Sequence, residues 1–242
     1  MGFDAGETLY VGGFPSTRDK GPVLQRYSLN GEPLGAFGPP VLYDGDTPVW
    51  AVLPDQDGGV YVRIVESGYR KGWPALTIKK VYPDGKMTNL LDLGNLYAVR
   101  TRFAPSESIG NFVFDREGYL IIAASFHLSV QKVAPDGTVI WEASQYPVRA
   151  DPVPFGALRD VAIDSRGHIW VTDPRRHVIV CLPDTGKLLL THGGFGGVDD
   201  LSGNAFDRPT GIAVVTTDQG EYLVVGDAGN HRFLKYRLDY AE

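Results

Sequence analysis

The chain has 242 residues, with 23 Lys and Arg against 29 Asp and Glu, a formal net charge of −6. That balance opposes nonspecific nucleic-acid binding, whose affinity comes mostly from Lys and Arg meeting phosphates. A hydrophobic share of 43% with 30 Gly and 17 Pro fits a β-rich chain with frequent turns.

No apolar run reaches the roughly 18 residues that a helical membrane span requires, so none is expected. Met1-Gly2-Phe3-Asp4 lacks the basic and apolar regions of a signal peptide. That start suits a cytoplasmic protein, or an extracellular or periplasmic one whose leader has been removed. The single cysteine, Cys181, sits in the apolar run 178–182 and reads as a small buried hydrophobe.

In chain order, short strands alternate with turn signals. Residues 9–13, 23–29 and 33–37 supply three strands around the Asn30-Gly31 turn, with an innermost strand missing or reduced to Phe3-Asp4. From there the chain repeats. An inner strand (49–53, 111–114, 160–163, 211–215) ends near an acidic residue and precedes a Gly: Gly59, Gly118, Gly167, Gly220. A second strand follows (60–65, 119–123, 168–171, 222–225). A third runs into a Pro-Asp-Gly type of hairpin at 83–85, 135–137 and 183–186. A fourth closes each complete unit. Self-similarity near 50 residues with four antiparallel strands per unit predicts an all-β β-propeller. Five repeats are recognisable: 7–40, 48–94, 109–143, 158–192 and 209–239. They form one domain over 1–242, either a five-bladed ring or part of a six-bladed one. The count is 18 strands, because the last unit stops before its outer strand.

The run 206–233, and above all Asp227, Gly229, Asn230, His231 and Arg232, resembles an NHL repeat. A fainter copy lies at Asp173-Pro174-Arg175-Arg176-His177. The resemblance implies a β-propeller and no single activity, since that fold hosts enzymes, binders and scaffolds. A more distant similarity, at 168–177 and the Gly-rich loop after it, is to the peptidyl-hydroxyglycine amidating lyase propeller. That family holds zinc through histidines at inner-strand starts, whereas the matching positions here are Arg159 and Ala205. A zinc site needs at least three protein ligands, so no metal, cofactor or catalytic set is expected. A calcium-lactonase type of propeller would use Glu and Asn at such positions; Asn111 and Asp160 are present without a recognisable set.

The remaining motifs read as scaffold or binding surface. His177 and His231 recur at one place in successive repeats, as turn residues would. Asp173 and Asp227 are expected to accept hydrogen bonds from the turns that follow them. Gly193-Gly194-Phe195-Gly196-Gly197 reads as a loop between blades. The second repeat carries seven extra residues between its second and third strands, including Tyr69, Arg70 and Trp73. That aromatic-cationic cluster suits a sugar, an anionic group or a protein partner. Arg159 and Arg208 precede adjacent inner strands, where two guanidinium forks could hold a carboxylate or phosphate. The competing role pairs each Arg with Asp160 or Asp207. The function expected is a non-catalytic binding or assembly module using this loop-elaborated face. The alternative is a small-substrate lyase or lactonase with its site in the central channel.

Overall fold

The computed structural model describes residues 2–3, 6–13, 24–38, 49–66, 75–92, 111–124, 128–144, 153–200 and 202–240. The chain packs as two compact units, Met1–Ser106 and Glu107–Glu242. Its fold is an all-β β-propeller fold with five blades, two in the first unit and three in the second.

In the first unit, blade one is β1 (Gly2–Phe3), β2 (Leu9–Gly12), β3 (Leu24–Tyr27) and β4 (Pro33–Ala36), paired in that order. Its innermost strand is therefore present, and the described residues hold 19 strands rather than 18. Blade two is β5 (Val49–Pro54), β6 (Val60–Glu66), β7 (Ala75–Val81) and β8 (Met87–Asp92). Tyr10, Leu24, Phe37, Val49, Val52, Val62 and Val81 join the two blades in one core, with Tyr10 and Phe37 edge to face at 5.2 Å.

In the second unit, blade three is β9 (Phe112–Phe114), β10 (Leu120–Ala124), β11 (Ser129–Val133) and β12 (Val139–Ser144). Blade four is β13 (Val161–Ile163), β14 (Ile169–Asp173), β15 (Val178–Leu182) and β16 (Leu190–Gly193). Blade five has three strands, β17 (Pro209–Thr217), β18 (Gly220–Asp227) and β19 (Arg232–Arg237). Every residue of β10, β11, β14 and β15 is buried. In β18 and β19 burial alternates, the pattern of a sheet with one covered face.

Blades two, three and four are each built on an Asp just after the inner strand. Asp55, Asp115 and Asp164 each accept the N–H of a Gly three residues on, at 3.0–3.2 Å. Those glycines have φ of +80 to +85°, which only Gly adopts readily. In blade two the residue is Gly58, one place before the Gly59 that sequence alignment selects. The Asp side chain then takes a cation from the third strand. Lys80 lies 2.5 Å from Asp55 and 2.6 Å from Asp57, while Lys132 lies 2.9 Å from Asp115 and 2.7 Å from Asp184. Burial pushes the Lys132 ammonium down, and its carboxylate partners outweigh that to leave its pKa raised.

Blade four breaks the rule, because Cys181 stands where the lysine would be. Burial pushes its thiol up to about 12, with the Asp164 charge adding to the effect. Asp164 instead accepts from the Trp170 indole at 3.0 Å, the His168 backbone N–H at 2.9 Å and faces His168 Nδ1 at 2.9 Å.

Two outcomes test this scheme. Removing one partner of a buried ion pair strands the other charge, at a cost of about 3 kcal/mol. Lys132→Met should lower unfolding free energy by about that much in urea titration, whereas an unchanged midpoint would show the pair to be inert. For Asp164, burial pushes the carboxyl up, but the Trp170, backbone and His168 bonds outweigh it and hold it below its ordinary 3.8. The stability this gives is present above pH 3.8 and is lost as pH falls through the lowered value. Asp164→Asn should therefore weaken the protein at neutral pH and flatten the acid limb of its stability curve, followed by Trp fluorescence.

Candidate functional site

One pocket of the second unit gathers the ends of its strands. It has a volume of about 400 Å³ and is lined by Ala157, Leu158, Arg159, Pro174, Arg208, Thr210, Ala228 and Gly229. These residues precede inner strands β13 and β17, open β17 (Thr210) or follow second strands β14 and β18, so they share one end of blades four and five. That is the end where loops between blades gather.

The floor is tied by Asp160. Its Oδ1 accepts from Asn111 Nδ2 at 2.8 Å and from the Val161 N–H at 3.0 Å, and its Oδ2 accepts from the Ile212 N–H at 2.9 Å. One carboxylate thus joins the inner-strand starts of blades three, four and five. Burial pushes this carboxyl up, against the pull of those three donors. All its bonds are to scaffold groups. Asn111 and Asp160, 49 residues apart, are partners in a structural tie.

The walls hang on two further carboxylates, Asp173 and Asp227, both fully buried. Asp173 accepts from the Gly156 N–H at 2.6 Å, the Ala157 N–H at 2.9 Å and the Arg176 N–H at 3.2 Å. Asp227 accepts from the Asp207 N–H at 2.7 Å, Asn230 Nδ2 at 2.8 Å and Arg232 Nε at 2.9 Å. Each does bond the turn after it, as the sequence implied. Each also reaches back to the loop that enters its own blade, which the sequence did not reveal. Arg232 continues inward, donating to the carbonyls of Asp200 at 2.7 Å and Ala205 at 2.9 Å.

The structure brings Arg159 and Arg208 to the same pocket and treats them differently. The Arg159 backbone is fixed to β14, its N–H donating to the Thr172 carbonyl at 3.1 Å. Its side chain is exposed, and among the described residues no carboxylate pairs with it. The local pairing with Asp160 does not form, because that carboxylate is filled by backbone and amide donors. Arg208 does pair locally, with Nε 3.2 Å and Nη2 3.5 Å from the Asp207 carboxylate. It has a left-handed backbone, φ 54°, uncommon for a side chain of this size. Asp227 holds the residue before it, and its own N–H donates to His177 Nδ1 at 3.2 Å. Strain of this kind persists where the surroundings over-determine it, often at binding sites.

His177 and His231 fall where turns need them. They have φ of 60° and 52°, and Leu128 takes the same position in blade three with 49°. His192 packs edgewise on Phe206 and Tyr236, with Nε2 3.2 Å from the Gly203 carbonyl. The Gly-rich segment is a loop between blades, pinned by the Phe206 N–H to the Gly194 carbonyl and the Gly196 N–H to the Phe206 carbonyl. Tyr69, Arg70 and Trp73, the other candidate binding residues, lie outside the described residues. Among the described residues no helix is long and apolar enough to cross a membrane.

No family model matches the chain, and no curated protein matches it in sequence. Solved structures do resemble it. A gluconolactonase from Xanthomonas campestris aligns over 98% of this chain and 70% of its own, at 14% identity and a TM-score of 0.59. Virginiamycin B lyase from Staphylococcus aureus aligns over 99% and 84%, at 11% identity and 0.54. A Bacteroides caccae protein of unknown function aligns over 88% and 70%, at 12% identity and 0.59. Likeness at these identities shows the fold.

Gly229 offers a direct probe of the pocket wall. Its N–H donates to the Asp207 carbonyl at 2.7 Å, and a Cβ there would land inside the Asp207 carboxylate. Gly229→Ala should cost about 1–3 kcal/mol, the usual range for overpacking. Amide exchange at 205–208 should speed up at the same time. Normal exchange in that loop would show that Asp207 is not held by this contact.

Proposed function

We propose that this propeller is a non-catalytic binding module whose loop face in the second unit takes a small organic anion. The reading takes the blades as NHL-like, on the strength of Asp227 to Arg232 and the shared left-handed turns at His177 and His231. One observation carries the ligand chemistry: Arg159 and Arg208 line one pocket of about 400 Å³, and Arg159 lacks a carboxylate among the described residues. Pockets of this size hold small organic molecules, with a few fixed polar groups setting orientation. Guanidinium forks match carboxylate and phosphate oxygens in pairs. A protein or sugar partner reached through Tyr69, Arg70 and Trp73 belongs to the same binding-module reading.

The enzymatic alternative, a small-substrate lyase or lactonase, is favoured by two neighbours named as a gluconolactonase and a lyase. At 11–14% identity that likeness carries fold and not chemistry. The carboxylates Asp160, Asp173 and Asp227 around the pocket are committed to scaffold bonds.

Acetate titrated into the whole chain, followed by amide chemical shifts, tests the proposal. Wild type should saturate with shifts centred on 157–159 and 208–210. A hydrogen bond to a charged group contributes about 1.5–3 kcal/mol, so Arg159→Met should weaken binding at least tenfold while melting normally. Arg208→Met should also weaken binding, with a stability loss under about 1 kcal/mol because its ion pair is exposed. Undiminished acetate binding in both variants would remove these residues from the site.

A further inference from the structure

We infer that the pocket's ligand is a monoanionic carboxylate bearing an aromatic or similarly flat apolar group a few bonds away. This rests on the binding reading above and names its ligand class. Charge is the first constraint. Two arginines line the pocket, but Asp207 already sits 3.2 Å from the guanidinium of one of them. The three groups together carry a single positive charge, which a carboxylate balances and a phosphate dianion overshoots.

The lining is the second constraint. Apart from its two arginines and Thr210, the pocket is lined by Ala157, Leu158, Pro174, Ala228 and Gly229, and the carbon surfaces of Ala157, Pro174 and Ala228 are ones that a bare inorganic anion would leave wetted. An organic body on the anion covers them.

Phe195 supplies the third. An exposed aromatic by itself is ordinary. This one is 74% exposed, yet its backbone is bracketed by the two bonds between Phe206 and residues 194 and 196. Its ring packs edge to face on His177 at 4.9 Å. His177 in turn accepts the Arg208 N–H at 3.2 Å. A single chain of contacts therefore fixes an open aromatic surface beside the arginine that meets the anion. A ligand with its carboxylate at Arg159 and Arg208 lays a flat apolar group toward Phe195.

Calorimetry on the whole chain with acetate, 3-phenylpropanoate and benzylphosphonate tests this. A ring-on-ring contact of about 1.4 kcal/mol corresponds to tenfold. The expected result is 3-phenylpropanoate about tenfold tighter than acetate, and no gain for the phosphonate dianion. Phe195→Ala should erase the tenfold preference, so that 3-phenylpropanoate and acetate bind the variant equally. A dipeptide ending in phenylalanine separates two sources of the same chemistry. Tighter binding than 3-phenylpropanoate points to a peptide C-terminus and equal or weaker binding to a free acid, and either supports the class. Equal affinity for acetate and 3-phenylpropanoate, a preference that survives Phe195→Ala, or tighter phosphonate binding overturns the inference while the anion site stands. Failure of all three anions to bind wild type overturns both.

Discussion

The Asp160 carboxylate is the constraint on which the second unit's pocket depends. Sheets in a propeller pack through side chains, which hold two faces together but leave them free to slide. A carboxylate bonding three successive inner strands at 2.8–3.0 Å fixes their stagger as well. It does so where inner strands begin, which is also where Arg159 and Arg208 stand. The cost is a partly desolvated charge, visible in the raised pKa of the group. Three short bonds from groups that need partners anyway offset that cost.

From that floor the pocket is built outward by the same device used twice. Asp173 and Asp227 end second strands at equivalent positions, are fully buried, and bond backbone N–H groups of the loops entering their own blades. Loops without regular structure leave many backbone groups to satisfy, and these carboxylates meet the donors closest to the pocket. The result is a loop face with little freedom to collapse when empty. Such preorganisation reduces the ordering cost of binding. Arg208 shows how tight the construction is, since a left-handed arginine is held in place from both sides.

The architecture was largely legible in the sequence because propeller blades repeat their punctuation locally. The hairpin glycines at 85, 137 and 186, the second-strand starts and the Asn-His-Arg turn all depend on residues within a few positions of one another. Blade one's innermost strand was hard to see, since two residues, Gly2 and Phe3, carry no periodicity. The slip from Gly58 to Gly59 has a similar origin: adjacent glycines look alike until φ distinguishes them. For the site, the meeting of Arg159 and Arg208 followed from equivalent positions in adjacent repeats. The Arg208–Asp207 pair was legible because the residues are neighbours. Arg159 escaped its neighbour Asp160 because that carboxylate was claimed by Asn111, 49 residues earlier, and Ile212, 52 residues later. No local spacing announces such a tie.

Blade four shows why repeat position and chemistry separate. Blades two and three neutralise their turn aspartate with a lysine from the third strand, and both lysines are buried. In blade four the same position is Cys181, whose neutral thiol fits a strand buried on both faces. The aspartate's need for donors did not vanish with the lysine. It passed to Trp170 and His168, which approach from the second strand and its entry turn. The His168 ring also stacks with Tyr240, 5.9 Å away, bringing the residues after β19 into blade four's turn. A change that looks like a loss in one repeat thus ties blade five to its neighbour. A histidine with an Asp partner, read without its blade, would suggest catalysis. Placed in the repeat, its role is to complete a turn.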